Sequence, residues 1–78
     1  MKDRIIHLIH DINPFDEIDS NTKLIEEGII DSLTLVLLME QMEEEFNVSF
    51  PEDDLKPENF ATVAEIESLI NRLKGKKS

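Results

Sequence analysis

The chain has no cysteine, so neither disulfides nor thiolate metal sites can support it, and any core must be held by side-chain packing alone. That composition suits a reducing compartment without requiring one. It also lacks long apolar runs: no stretch approaches the roughly 20 apolar residues needed to span a bilayer. The opening MKDRIIHLIHDINPF is interrupted by His7, His10 and Asp11 and carries no small-residue cleavage site, so a signal peptide is not expected and a cytoplasmic location is. Basic residues are scarce, with eight Lys and Arg against 18 Asp and Glu for a formal charge of −10. Such a surface repels phosphate backbones and anionic membranes, which excludes nucleic acid and membrane insertion as expectations and points to proteins with basic docking faces. Arg72, Lys74, Lys76 and Lys77 concentrate half of the bases at one end. Residues 74–78 are therefore expected to form a basic, flexible tail, leaving the rest more acidic than the total indicates.

What the chain does have is enough apolar surface to fold. It is 40% hydrophobic and 33% charged over 78 residues, outside the disordered class. A chain of this size buries only about 60% of its unfolded surface, so one domain over 1–78 and no deep catalytic cleft are expected.

Three helices are legible. Ile5, Leu8, Ile9 and Ile12 recur at helical spacing, and the pattern stops near Asn13 because Pro14 disfavours helical backbone before it. A second helix is predicted over 32–45, with Leu35, Leu38, Met39, Met42 and Phe46 on its buried face and Leu33 and Val36 widening that face. Thr62 as N-cap and Glu65 as the far end of a capping box open the third, whose buried stripe is Val63, Ile66, Leu69, Ile70 and Leu73 and which Gly75 closes. Between the first two, PFDEIDSNTKLIEEGIID follows no sustained period; a connection this long must pack by its own side chains, with Gly28 supplying a tight bend. Asn47 ends the second helix, and Pro51 with three following acids suits a short helical piece. VSF at 48–50 is too short for more than a crossing segment, and the fold class expected is all-α.

Most candidate chemistries fail. The loop 11–22 has acids and amides, but Asp16 stands where a calcium loop needs glycine and Thr22 where it needs a bidentate glutamate. His7 and His10 are three apart with no third ligand indicated, so no metal site is expected. Ser32 has no histidine in its own segment, and a chain this short has little room for a base, an orienting acid and an oxyanion hole. No catalytic residue is assigned and the protein is not expected to be an enzyme.

Ser32 itself, in EEGIIDSLTLVLL, has two readings. Asp31 is a favourable N-cap, so Asp31-Ser32 can be simply a capping pair. The same position would equally favour a phosphate ester, since the exposed N–H groups and positive field of a helix N-terminus stabilise an anion.

GIIDSLTLVLLMEQMEEEF, then Pro51 with its acids, then ATVAEI opening the last helix, resembles the acyl carrier protein family along the whole chain. The features that carry the resemblance are Asp31-Ser32-Leu33, Gly28 three residues ahead, Phe46, Pro51 and Thr62-Val63. It implies a small four-helix bundle with three main helices, a short helix between Pro51 and Phe60, and a long first loop. It further implies that a phosphopantetheinyl transferase attaches 4'-phosphopantetheine from coenzyme A to Ser32 and that the arm carries cargo as a thioester. Asp31 would then belong to the transferase's recognition and metal-binding surroundings and Leu33 to its docking contact. The expected partners are that transferase, an acyl- or aminoacyl-loading enzyme and a downstream transferase or synthase, met by a monomer. Glu40, Glu43 and Glu44 would steer basic partner surfaces. Leu37 is a docking contact or covers the edge of the core. Thr34 and Leu37 stand where fatty-acid carriers often have acids, and LKPENFATV is about two residues longer. These departures speak against fatty-acid synthesis, and the leading GIIDS resembles stand-alone carriers of amino acids, such as the D-alanyl carrier proteins, and carriers in small nonribosomal peptide or polyketide pathways. Leu35, Leu38, Met39, Phe50, Phe60 and Ile66 are candidates for a cargo cleft or for ordinary core. The reading kept beside the carrier is a cofactor-free acidic interaction module with the same fold.

Overall fold

The computed structural model describes residues 1–75. Three helices, α1 (Lys2–Ile12), α2 (Ser32–Phe46) and α3 (Val63–Gly75), enclose one apolar core, and no strand occurs among the described residues. The short helical piece expected after Pro51 is instead two 3-10 turns, Glu52–Asp54 and Pro57–Phe60. Pro57 explains the break: it cannot donate an N–H to a helix begun before it, but its fixed φ suits the first position of a new turn.

Packing follows the predicted stripes in α1 and α3. Ile5 and Ile9 of α1, Leu38 and Met42 of α2, Phe60, and Val63, Ile66, Leu69, Ile70 and Leu73 of α3 belong to one buried cluster, in which α1 packs on both other helices and the Pro57–Phe60 turn packs on α3. Phe50 and Phe60 pack edge to face with ring centroids 5.7 Å apart, so the two flanks of the 3-10 region share one aromatic contact. In α2 the expectation is corrected: Leu33 and Val36 do not widen the buried face but stand 73% and 48% exposed.

Caps account for the helix ends. Asn13 donates its N–H to Ile9 O at 2.8 Å as α1 stops before Pro14. Asn47 takes the left-handed conformation at φ 55°, and Val48 donates back to Glu43 O at 3.2 Å, turning α2 off sharply. Thr62 Oγ1 accepts the Glu65 N–H at 3.2 Å, opening α3 as its sequence indicates. Lys74 and Gly75 belong to α3 rather than to a tail; Lys76, Lys77 and Ser78 lie outside the described residues.

The long first connection is stitched down by backbone bonds and its own side chains. Ile29 and Ile30 both donate to Leu24 O, at 2.9 and 3.0 Å, and Gly28 makes this wrap possible at φ +73°. Leu24 donates to Ala61 O at 2.8 Å and Ala64 to Ser20 O at 3.2 Å, fixing the connection against the start of α3. Leu24, Ile29 and Ile30 are buried, whereas Phe15 at the outer bend is 94% exposed. The surface pairs Arg4–Glu45, Lys2–Glu67 and Arg72–Asp54 link distant parts of the chain, each with a small energy in water.

Candidate functional site

Ser32 is the first residue of α2 and its side chain is exposed. It is held there by Asp31, whose extended backbone (φ −103°, ψ −176°) delivers the chain to the helix and whose carboxylate accepts the Thr34 N–H at 2.8 Å. That bond holds the Asp31 carboxyl below the ordinary carboxylate range, so it is ionised at neutral pH. The sequence supports this placement in three parts: the wrap at Gly28 sets the approach, Ile29 and Ile30 anchor it in the core, and Asp31 starts the helix.

Next to Ser32 lies an apolar groove of about 290 Å³, lined by Ile25, Ile30, Asp31, Ser32, Leu35 and Pro57. Ile25, Ile30 and Pro57 were not legible as site residues, because the first connection and the second 3-10 turn come together only through tertiary contacts. Of the six candidates for a cargo cleft, Leu35 alone lines this groove; Leu38, Phe60 and Ile66 are fully buried core.

His7 and His10 are elsewhere. They line an open hollow of about 590 Å³ with Asp3, Ile6, Glu17, Ile18 and Asp19, between α1 and the first connection, and neither borders the Ser32 groove. Among the described residues no group of three or more His, Cys, Asp or Glu is placed to hold a metal ion. The arrangement around Ser32 therefore presents a hydroxyl at a helix N-terminus with an anion as neighbour, but no imidazole beside it to take its proton.

Beyond Ser32, α2 presents Leu33, Val36, Leu37 and Glu40 at spacings of three, four and seven, which is one face of the helix. Leu37 is 47% exposed, so this face is apolar and open to solvent. The other acids named from the sequence divide. Glu43 is half-buried and accepts the Phe50 N–H at 2.9 Å, while Glu44, one turn beyond Glu40 on the same stripe, borders an open hollow with Leu8, Gln41 and Glu45. Glu45, which the sequence reading passed over, accepts from the Arg4 guanidinium, its Nε at 2.9 Å.

The residues present suit a phosphopantetheine. An exposed hydroxyl stands at a helix N-terminus that favours a phosphodiester, and an open groove beside it leaves room for the arm. Residues 3–70 match the family described as "Phosphopantetheine attachment site". The D-alanyl carrier protein of Lactococcus lactis subsp. lactis is 30% identical over 76 residues, covering 95% of this chain and 96% of its own. Among solved structures, the glycylated carrier protein bound to a Bradyrhizobium japonicum glycine:[carrier protein] ligase is 30% identical with a TM-score of 0.71, over 87% of this chain and 96% of that one. A chain in the crystal structure of an FAD-dependent dehydrogenase is 42% identical with a TM-score of 0.78, matched over 87% of this chain and its own full length. The sequence match over residues 3–70 and these structural likenesses together show that the chain belongs to the phosphopantetheine attachment site family, as a carrier protein that bears 4'-phosphopantetheine covalently.

Proposed function

We propose that Ser32 is the attachment residue and that the chain is a stand-alone, non-catalytic, cytoplasmic carrier of aminoacyl groups. The observation that carries the site is the exposure of Ser32 as the first residue of α2, behind the ionised N-cap Asp31. With no base of its own beside it, the hydroxyl is a substrate for another enzyme. In a transferase, Ser32 Oγ would form the new ester bond to the phosphorus of the pantetheinyl phosphate while the pyrophosphate bond of coenzyme A breaks, releasing adenosine 3',5'-bisphosphate. Once attached, the arm supplies a thiol that holds cargo as a thioester.

Aminoacyl cargo is favoured by the two relatives whose names state their load, alanyl in one and glycyl in the other. The glycylated carrier in complex with its ligase also supports an aminoacyl-loading ligase as partner. Asp31 and Leu33 would meet the transferase, and Leu37 and Glu40, further along the same face, the loading enzyme. The cofactor-free interaction module gives way to the carrier, since the family is defined by its attachment site.

The test is intact mass of the protein after incubation with a broad-specificity phosphopantetheinyl transferase and coenzyme A. A gain of one phosphopantetheine on the wild type and none on Ser32→Ala is expected. Modification of Ser32→Ala would show that the attachment residue is another. Offering the loaded protein to an aminoacyl ligase with glycine, D-alanine or a fatty acid in turn then reads the cargo class.

A further inference from the structure

An aminoacyl thioester carried from Ser32 is an electrophile, because its α-ammonium draws electrons from the carbonyl and amines attack it. The amines around Ser32 therefore bear on how long a loaded carrier keeps its cargo. α2 offers none, since residues 32–46 contain no lysine. Arg4 meets Glu45 and Leu8 borders a hollow with Gln41, so α1 runs antiparallel to α2 and the amino terminus lies at the end of α2 away from Ser32. Lys74 is at that end too, its ammonium 5.7 Å from the centroid of the Phe46 ring, and the 15 residues of α2 span about 22 Å. Lys2, beside the amino terminus, pairs with Glu67 at 3.7 Å.

Lys23 and Lys56 remain. Pro57 lines the groove of Ser32, and Lys56 immediately precedes it; Pro57 also lines the hollow that Lys23 borders. Lys23 is held to Glu26 at 3.6 Å and must leave that pair to attack. Lys56 has no ion-pair partner among the described residues, and the acid two residues before it, Asp54, is engaged by Arg72 at 3.1 Å. Its backbone is fixed from both sides, the N–H donating to Asp54 O at 2.9 Å and the carbonyl accepting the Asn59 N–H at 2.9 Å. An exposed amine thus swings from a fixed base next to the Ser32 groove.

We propose that Lys56 is an internal acceptor for the cargo, a self-aminoacylation site, which rests on Ser32 as the attachment residue and on an aminoacyl load. The neutral Lys56 amine adds to the thioester carbonyl. The C–N bond forms as the C–S bond breaks, and the proton lost by nitrogen goes to the departing thiolate. The products are an aminoacyl amide on Lys56 and a free arm thiol. Tethering supplies the rate, since a short flexible link holds its ends at an effective concentration on the order of millimolar, and no enzyme is needed. Cargo that no partner collects passes into a stable bond and the arm is freed for another load. The adduct's own α-ammonium replaces the charge of the lysine.

The test uses a broad-specificity phosphopantetheinyl transferase to install a loaded arm from glycyl-coenzyme A. The carrier is separated from both, and samples taken over time are treated with hydroxylamine, which cleaves thioesters and spares amides. Intact mass should show one glycyl group surviving hydroxylamine, formed at a rate that is independent of protein concentration and rises with pH. Peptide mapping should place it on Lys56. Lys56→Arg, which keeps the charge, should abolish the surviving glycyl group with an unchanged melting temperature, and Ser32→Ala incubated with the same glycyl-coenzyme A should acquire none. A glycyl group on Met1, Lys2, Lys23 or Lys74 in place of Lys56, a rate proportional to protein concentration, or loss of the thioester to water alone would overturn the acceptor. Those outcomes leave a hydroxylamine-labile load on Ser32, whereas a phosphopantetheine gain that persists in Ser32→Ala removes the attachment and the acceptor together.

Discussion

The Glu43 carboxylate accepts the backbone N–H of Phe50 at 2.9 Å, seven residues ahead, so an acid on α2 fixes the turn that follows the helix. Phe50 is buried and its ring meets Phe60, which makes this bond the tie between the α2 exit and the 3-10 region. Hydrogen bonds to charged groups contribute about 1.5–3 kcal/mol, and a buried donor left without a partner costs about 1–3 kcal/mol. Glu43→Ala should therefore lower unfolding free energy by about 2 kcal/mol in urea denaturation. Glu43→Gln, which keeps an acceptor oxygen, should lose clearly less. Equal losses in the two variants would mean that the charge, not the bond to Phe50, is what matters.

Asp31 makes stability depend on pH in a defined direction. Its folded carboxyl is held below the ordinary range, first by the Thr34 backbone N–H, so the folded state favours the ionised form more than the unfolded chain does. The contribution is complete above the unfolded carboxylate pKa, near 4, and is lost as pH falls from there through the lower folded value. Asp31→Asn keeps a capping oxygen without the titration. Thermal melts between pH 6 and 3 should show the wild type losing its advantage over Asp31→Asn as the solution is acidified. An unchanged difference across that range would contradict the cap assignment.

Gly28 is a backbone requirement rather than a packing one. At φ +73° it sits where side chains are strained, and a Cβ built there meets nothing within 4 Å. Gly28→Ala should cost about 1–2 kcal/mol from left-handed backbone alone, and Gly28→Asn less, because asparagine tolerates that region. Chemical denaturation of the two variants measures the order; a harmless alanine would mean that the wrap at Leu24 relaxes.

How far the sequence could be read depends on the range of the interaction. Thr62 caps α3 within three residues and Gly28 bends within one, so both were visible as local chemistry. Ile5 and Ile9 were visible because α1 has one apolar stripe and the remainder is polar. In α2 apolar residues occupy every position from 35 to 39, so periodicity does not separate Leu38, buried in the core, from Val36, facing solvent. The bond from Phe50 to Glu43 and the meeting of Ile25 with Pro57 depend on where the chain returns, and no local pattern encodes that. Ser32 was legible as a position at a helix start; its groove was not.

The exposed face Leu33–Val36–Leu37 carries the last prediction. Apolar residues this open next to Ser32 add nothing to the core, so replacing one should leave the fold within about 0.5 kcal/mol. Loss of a well-packed contact in a complex costs more than about 1 kcal/mol, which is five- to tenfold in affinity. Leu37→Arg should therefore reduce kcat/KM for loading by a partner ligase by about tenfold with an unchanged melting temperature. Phe15 supplies the control: it is more exposed than any residue of that face but lies at the outer bend of the first connection, so Phe15→Ser should leave loading as it is. Charge divides the same way. Glu40 and Glu44 both lie on the stripe of Leu33 and Leu37, but Glu40 is one helical turn, about 6 Å, nearer the Ser32 end of α2. Glu40→Lys should then slow loading more than Glu44→Lys does, with a difference that shrinks as salt is raised. Equal effects of the two lysines, or an effect of Phe15→Ser as large as that of Leu37→Arg, would mean that partners read the overall acidity and apolarity of the carrier and not the Ser32 end of this face of α2.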